Sequence, residues 1–80
     1  MEEIKGPTEA EVRAREFIRD RHPRVRQILF RRVHREGNVW LVDGEVWFKR
    51  AYFFTARRSF RLRMSSETGK ITSYEEARER

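Results

Sequence analysis

The feature that most constrains the fold of this chain is a strict alternation of apolar and basic side chains at residues 60–64. Phe60, Leu62 and Met64 are separated from one another by single arginines. Because successive side chains of a β-strand point to opposite faces of a sheet, this period of two predicts a strand with one buried and one exposed face. We therefore expect a sheet whose inner face contains these three residues.

A β-hairpin is predicted directly after this run. Residues 65–70 concentrate turn-forming side chains, and Gly69 is free to adopt the positive φ that a chain reversal needs. Residues 71–74 can return as a short strand. We expect the charged residues 75–80 to fray or to form a loose helical turn.

The first element predicted is an amphipathic helix over residues 8–22, after a polar tail at 1–7. Thr8 and Glu11 have the spacing of a capping box, and Pro23 disfavours helical geometry in the residue before it. The apolar face of the helix contains Ala10, Ala14, Phe17 and Ile18.

An antiparallel sheet is predicted over residues 24–74, with a first strand at 25–35 and a turn at 36–38. Two topologies are open for the stretch that follows. It is either one long strand in which Gly44 marks a bulge or bend, or a hairpin that turns at Asp43-Gly44 and pairs Leu41 with Val46. The alternation stays in phase across Gly44, which favours the long strand. Residues 55–58 should then turn the chain into the strand that contains residues 60–64.

Together these elements predict one α+β domain, with an N-terminal helix packed across a curved antiparallel meander of three or four strands. Phe60, Leu62 and Met64 should pack against Phe17 and Ile18 of the helix. The order of elements, with Glu67-Thr68-Gly69-Lys70-Ile71 after a strand, resembles PepSY-type domains of the broader cystatin-like group. The resemblance covers about residues 8–74 and implies a binding module or an inhibitory or chaperoning segment for proteases. It transfers no site residue.

Composition narrows the choice of function. The chain has 80 residues, so its core is small. With no cysteine and two histidines, neither disulfides nor a histidine-rich metal site can add stability to this core. Self-association is therefore the expected additional source of stability. No apolar run approaches the ~20 residues that span a bilayer, and the polar start lacks the apolar core of an export signal. We predict a cytoplasmic protein without membrane, metal or cofactor binding.

Catalysis is not expected. His22 and His34 have no spaced acid or base companion, and Gly69-Lys70 lacks the preceding glycine and following helix of a phosphate loop. Two non-catalytic hypotheses follow. In the first, the chain is an interaction module, because apolar residues occur on both strand parities and one helix cannot cover both faces. The uncovered face would meet a second copy, forming a dimer, or another protein.

The second hypothesis is nucleic-acid binding. The net charge is +6, and residues 24–63 carry eleven basic but only three acidic side chains. A sheet can present arginines to phosphates and aromatic rings to bases. For either hypothesis the candidate surface consists of Arg61, Arg63, Arg57, Arg58, Arg50, Trp47 and Trp40.

Overall fold

The computed structural model describes residues 4–49 and 55–78. The elements are α1 (Pro7–Arg21), β1 (Val25–Glu36), β2 (Val39–Lys49), β3 (Thr55–Ser65) and β4 (Ile71–Arg78). All neighbouring strands are antiparallel, in the order β1-β2-β3-β4. The predicted α+β class, with one helix before a meander, is confirmed, and the sheet has four strands. No helix in the described ranges is long and apolar enough to cross a membrane.

The boundaries of α1 differ from the prediction at its start. Gly6 is the N-cap, Pro7 occupies the first turn, and no described side chain caps the start of the helix, so the predicted capping box at Thr8 is wrong. The fixed φ of proline suits the first helical position, and this places Thr8 inside the helix instead of before it. At the other end, the His22 amide donates to the Ile18 carbonyl at 2.8 Å, and Pro23 follows.

The core lies between α1 and one face of the sheet. Ala10, Ala14 and Ile18 of α1 are completely buried. The sheet contributes Val42, Val46, Phe60, Leu62 and Met64 to the same buried cluster. Phe17 is partly buried and meets the ring of Tyr74 edge to face, with ring centroids 5.2 Å apart. The alternation at residues 60–64 therefore predicted the inner face of the sheet correctly.

β2 is continuous through Asp43 and Gly44, so the long-strand alternative is correct. Leu41 pairs with residues of β1 and β3, as an interior strand requires, and not with Val46. The irregularity that Gly44 suggested lies in β1, where the register shifts between Phe30 and Arg32 opposite the glycine.

Both ends of the described chain are more ordered than the sequence suggested. Ile4, placed in the polar tail, is only 1% exposed. Its amide donates to the Ser66 carbonyl at 2.7 Å, and its carbonyl accepts from the Trp40 indole at 3.2 Å. β4 continues to Arg78, beyond the short strand predicted at 71–74. Residues 55–58 belong to β3, where a turn was predicted, because they pair with the end of β2.

Candidate functional site

Within residues 4–49 and 55–78, one face of the sheet has no covering element. Among the residues that the structure describes, α1 is the only helix, and its apolar side packs on the other face. Side chains alternate along each strand, so those between the buried positions belong to the uncovered face. We call this surface the open face. Its members on β2 and β3 include Val39, Leu41, Asp43, Glu45, Trp47, Arg57, Ser59, Arg61 and Arg63.

Antiparallel pairing arranges the open face in rows that cross the strands. One row contains Arg32, Asp43, Arg61 and Glu75, in the order of the strands. Directly opposite residues in a sheet share a face and lie close together. This charged row therefore alternates basic and acidic groups across the whole sheet. Within it, Arg61 Nε lies 3.6 Å from Asp43 Oδ1, and the arginine side chain is 70% exposed.

Apolar side chains lie on either side of the charged row. Leu41 precedes it along β2 and is half-buried, with Arg63 as its β3 neighbour. Trp47 is half-buried and pairs with Arg57, while Leu29 of β1 is 42% exposed. The open face thus combines partly exposed apolar groups with charges of both signs.

Glu45 is an exception on the open face because it is only 5% exposed. Arg31 Nη2 donates to Glu45 Oε2 at 2.6 Å. Arg31 lies at the register shift of β1, where it has no paired residue on β2. Because the bulge leaves Arg31 outside the regular strand pairing, its side chain can lie over the Glu45 carboxylate. A hollow of about 720 Å³ lies here, with both residues in its lining.

The structure divides the seven residues of the predicted surface. Arg57, Arg61, Arg63 and Trp47 lie on the open face. Trp40 is 6% exposed in the core, and Arg58 is on the same face as the helix. Arg50 lies outside the described residues. Four of the seven therefore form one surface, and parity along β2 and β3 was the signal that separates them.

A cluster of polar side chains connects the end of α1 to β4. The Glu76 carboxylate accepts from the Tyr74 hydroxyl at 2.5 Å, from His22 Nε2 at 2.5 Å and from Arg58 Nη1 at 3.1 Å. Because an ionised carboxylate can only accept hydrogen bonds, the hydrogen atom between Glu76 and His22 is bonded to His22 Nε2. The four groups satisfy one another, and the cluster fastens the edge strand to the helix.

The electrostatics of this cluster keep Glu76 charged. Burial raises the pKa of the Glu76 carboxyl, but the hydrogen bonds from Tyr74, His22 and Arg58 outweigh it and hold the pKa below its usual value. Burial, followed by the hydrogen bond to Glu76, raises the pKa of Tyr74 well above its usual value. Tyr74 therefore remains a donor. The sequence offered no local signal for this cluster, because its members are up to 54 residues apart.

Among the described residues, no three histidine, aspartate or glutamate side chains lie close enough together to hold a metal ion. No family model matches the chain, and no curated protein or solved structure is significantly similar to it. The resemblance to PepSY-type and cystatin-like domains stays a prediction. The fold defines a small α+β domain, and the open face is its candidate functional surface.

Proposed function

We propose that this protein is a non-catalytic interaction module that associates through its open face, in the first instance with a second copy of itself. The observation that carries the proposal is the position of Leu41 and Trp47. Both are partly exposed on a sheet face that no described element covers. Apolar groups in such a position gain free energy when a partner removes them from water.

The dimensions of the face are compatible with this role. Four strands at their usual spacing and length present on the order of 600 Å². A standard protein interface buries about 800 Å² on each partner, and the long arginines on this face extend its reach. The charges around Leu41 and Trp47 resemble the polar part of a non-obligate interface more than the interior of a permanent one.

Sedimentation equilibrium over a range of concentrations tests the proposal. We expect the wild type to form a dimer as concentration rises. Leu41→Arg places a charge on the open face beside Arg63 and should shift the protein to monomer. Val12→Arg is the matched control, because Val12 is 46% exposed on α1, away from the open face, and it should leave association unchanged.

Circular dichroism shows whether each variant is folded. A wild type that stays monomeric at hundreds of micromolar would contradict self-association. Equal loss of association in Leu41→Arg and Val12→Arg would contradict the assignment of the contact to the open face.

Nucleic-acid binding is the second candidate. It is supported by Arg57, Arg61 and Arg63, which occupy alternate positions along β3 on the open face beside Trp47. Phosphates could contact the arginines while a base stacks on the indole. Asp43 and Glu75, which flank Arg61 in the charged row, oppose this function because they repel phosphates.

A titration with a single-stranded oligonucleotide separates the two candidates. Nucleic-acid binding predicts an affinity that falls steeply with salt and drops further in the double variant Arg61→Ala with Arg63→Ala. Lys70→Ala changes the charge in the β3–β4 turn and is the control. Absence of binding at low salt would exclude this candidate.

A further inference from the structure

We propose that two copies pack open face to open face about a two-fold axis that runs parallel to the strands, between β2 and β3. This inference rests on the proposed function and specifies the partner and its orientation. Such an axis places β1 over the partner's β4 and β2 over the partner's β3. It leaves positions along the strands unchanged, so each row of one copy faces the same row of the other.

The charged row supports this axis because its charges are basic, acidic, basic and acidic from β1 to β4. The facing copy presents the same row in the reverse strand order, so each basic position meets an acidic one. Arg32 comes to lie opposite the partner's Glu75, and Asp43 opposite the partner's Arg61. Symmetry repeats both contacts, so all four positions of the row face an opposite charge. Stacked sheets align to within about 30°, which long side chains such as arginine can span.

Two-fold axes that follow β2, β3 or the charged row itself produce like-charge contacts. An axis along β2 would set Asp43 against itself and Arg32 against the partner's Arg61. An axis along β3 would set Arg61 against itself and Asp43 against the partner's Glu75. An axis that follows the charged row, perpendicular to the strands, would set every member against its own copy. An axis between β1 and β2, or between β3 and β4, pairs opposite charges but overlaps only two strands of each copy. The axis between β2 and β3 is therefore the one that gives every member of the charged row an opposite charge.

The neighbouring rows are compatible with the same axis. Trp47 and Arg57 pair within one copy, so the axis sets each indole against the partner's Arg57, where a guanidinium can stack on the ring. Leu41 and Arg63 form the corresponding pair in another row. There the aliphatic part of the partner's Arg63 covers the leucine.

Arg32 and Glu75 are the best positions for a test. Within residues 4–49 and 55–78, neither side chain makes a hydrogen bond or an ion pair. They lie on β1 and β4, the two edges of the sheet, and are separated by roughly 14 Å at the usual strand spacing. A change at one position therefore cannot be compensated directly by the other within the same copy.

The experiment measures dimer dissociation constants by analytical ultracentrifugation at low salt. Arg32→Glu sets two acidic groups against each other across the interface, and Glu75→Arg sets two basic groups against each other. We expect each variant alone to associate at least roughly tenfold more weakly. Arg19→Glu and Glu16→Arg make the same charge changes on exposed positions of α1 and should associate like the wild type.

The decisive result is the recovery of association. An equal mixture of the Arg32→Glu and Glu75→Arg proteins should form heterodimers, because each altered residue then faces an opposite charge. The double variant Arg32→Glu with Glu75→Arg should recover homodimers for the same reason.

A dimer that Leu41→Arg dissociates but the reversals do not affect would overturn the proposed axis and leave the interaction module intact. Weakening by the single reversals without recovery in the mixture would also overturn the axis. A wild type that is monomeric throughout would overturn both proposals.

Discussion

The main-chain carbonyl oxygen of Leu29 lies so close to Gly44 that a Cβ atom at Gly44 would be 2.0 Å from it. The Phe60 ring would be 2.9 Å from the same Cβ. Only a residue without a side chain permits this approach of β1 to β2. Because the register shift that releases Arg31 lies next to this contact, Gly44 also contributes to the shape of the open face.

Gly44→Ala should therefore lower the free energy of unfolding by at least about 2 kcal/mol, because the backbone of β1 must move. Alanine is otherwise more favourable than glycine in a strand interior. A loss of stability on this substitution would therefore be caused by the clash. Gly6→Ala is the control, since a Cβ there meets nothing within 4 Å, and it should cost no more than about 1 kcal/mol. Urea denaturation measures both, and equal losses would contradict the prediction.

Ile4→Ala should cost about 2–5 kcal/mol, the range for truncating a buried isoleucine. Ile4 is 1% exposed, whereas Val12 is 46% exposed, so Val12→Ala should change stability by less than about 0.5 kcal/mol. Thermal denaturation followed by circular dichroism compares the two. A negligible effect of Ile4→Ala would mean that residues 1–7 behave as the polar tail expected from the sequence.

Thr8→Ala should have almost no effect on stability, within about 0.5 kcal/mol. Thr8 is exposed, and no side chain caps the start of α1, whereas loss of a true Thr cap typically costs about 1 kcal/mol. Urea denaturation of the wild type and of this variant is sufficient. A loss near 1 kcal/mol would restore the capping role that the sequence suggested.

Glu76→Gln should lower the free energy of unfolding by about 1–3 kcal/mol at neutral pH, because the amide cannot accept all the hydrogen bonds that the carboxylate accepts. Glu67→Gln, in the exposed turn before β4, is the control and should be nearly neutral. Denaturant titration of both variants gives the comparison.

The pH dependence of stability tests the same cluster. The folded protein holds the pKa of Glu76 below the usual value of 4.5. The contribution of this carboxylate is therefore complete well above pH 4.5 and is lost as pH falls through the lower folded pKa. In Glu76→Gln the decline of stability in this acidic range should be shallower than in the wild type. Parallel pH profiles would show that Glu76 is not a source of the acid sensitivity.

The parts of the fold that could be predicted from the sequence depend on local patterns. Phe60, Leu62 and Met64 form a period of two, and Pro23 is an unambiguous helix stop, so the core face and the end of α1 were accessible. Ile4 was not, because a single apolar residue among polar ones has no periodicity. Its main chain forms hydrogen bonds with Ser66 and Trp40, and contacts with such distant residues cannot be predicted from a short segment.

The candidate site was predicted only in part, for a related reason. Parity along β3 put Arg61 and Arg63 on the open face. The charged row, in contrast, depends on the register between strands. This register shifts in β1 next to Arg32, and it shifts again between β3 and β4 at Arg63 and Met64. A shift of one residue would exchange the faces of a strand. The order of charges across the sheet therefore emerges only when all three pairings are known.

The two tryptophans of β2 occupy opposite environments only seven residues apart. Trp40 is buried and donates to the Ile4 carbonyl, whereas Trp47 is half-buried on the open face. Their fluorescence therefore reports on different events. In Trp47→Phe the remaining emission follows unfolding of the core, and in Trp40→Phe it follows the wetting or covering of the open face. The chain thus contains its own optical probes for separating folding from binding.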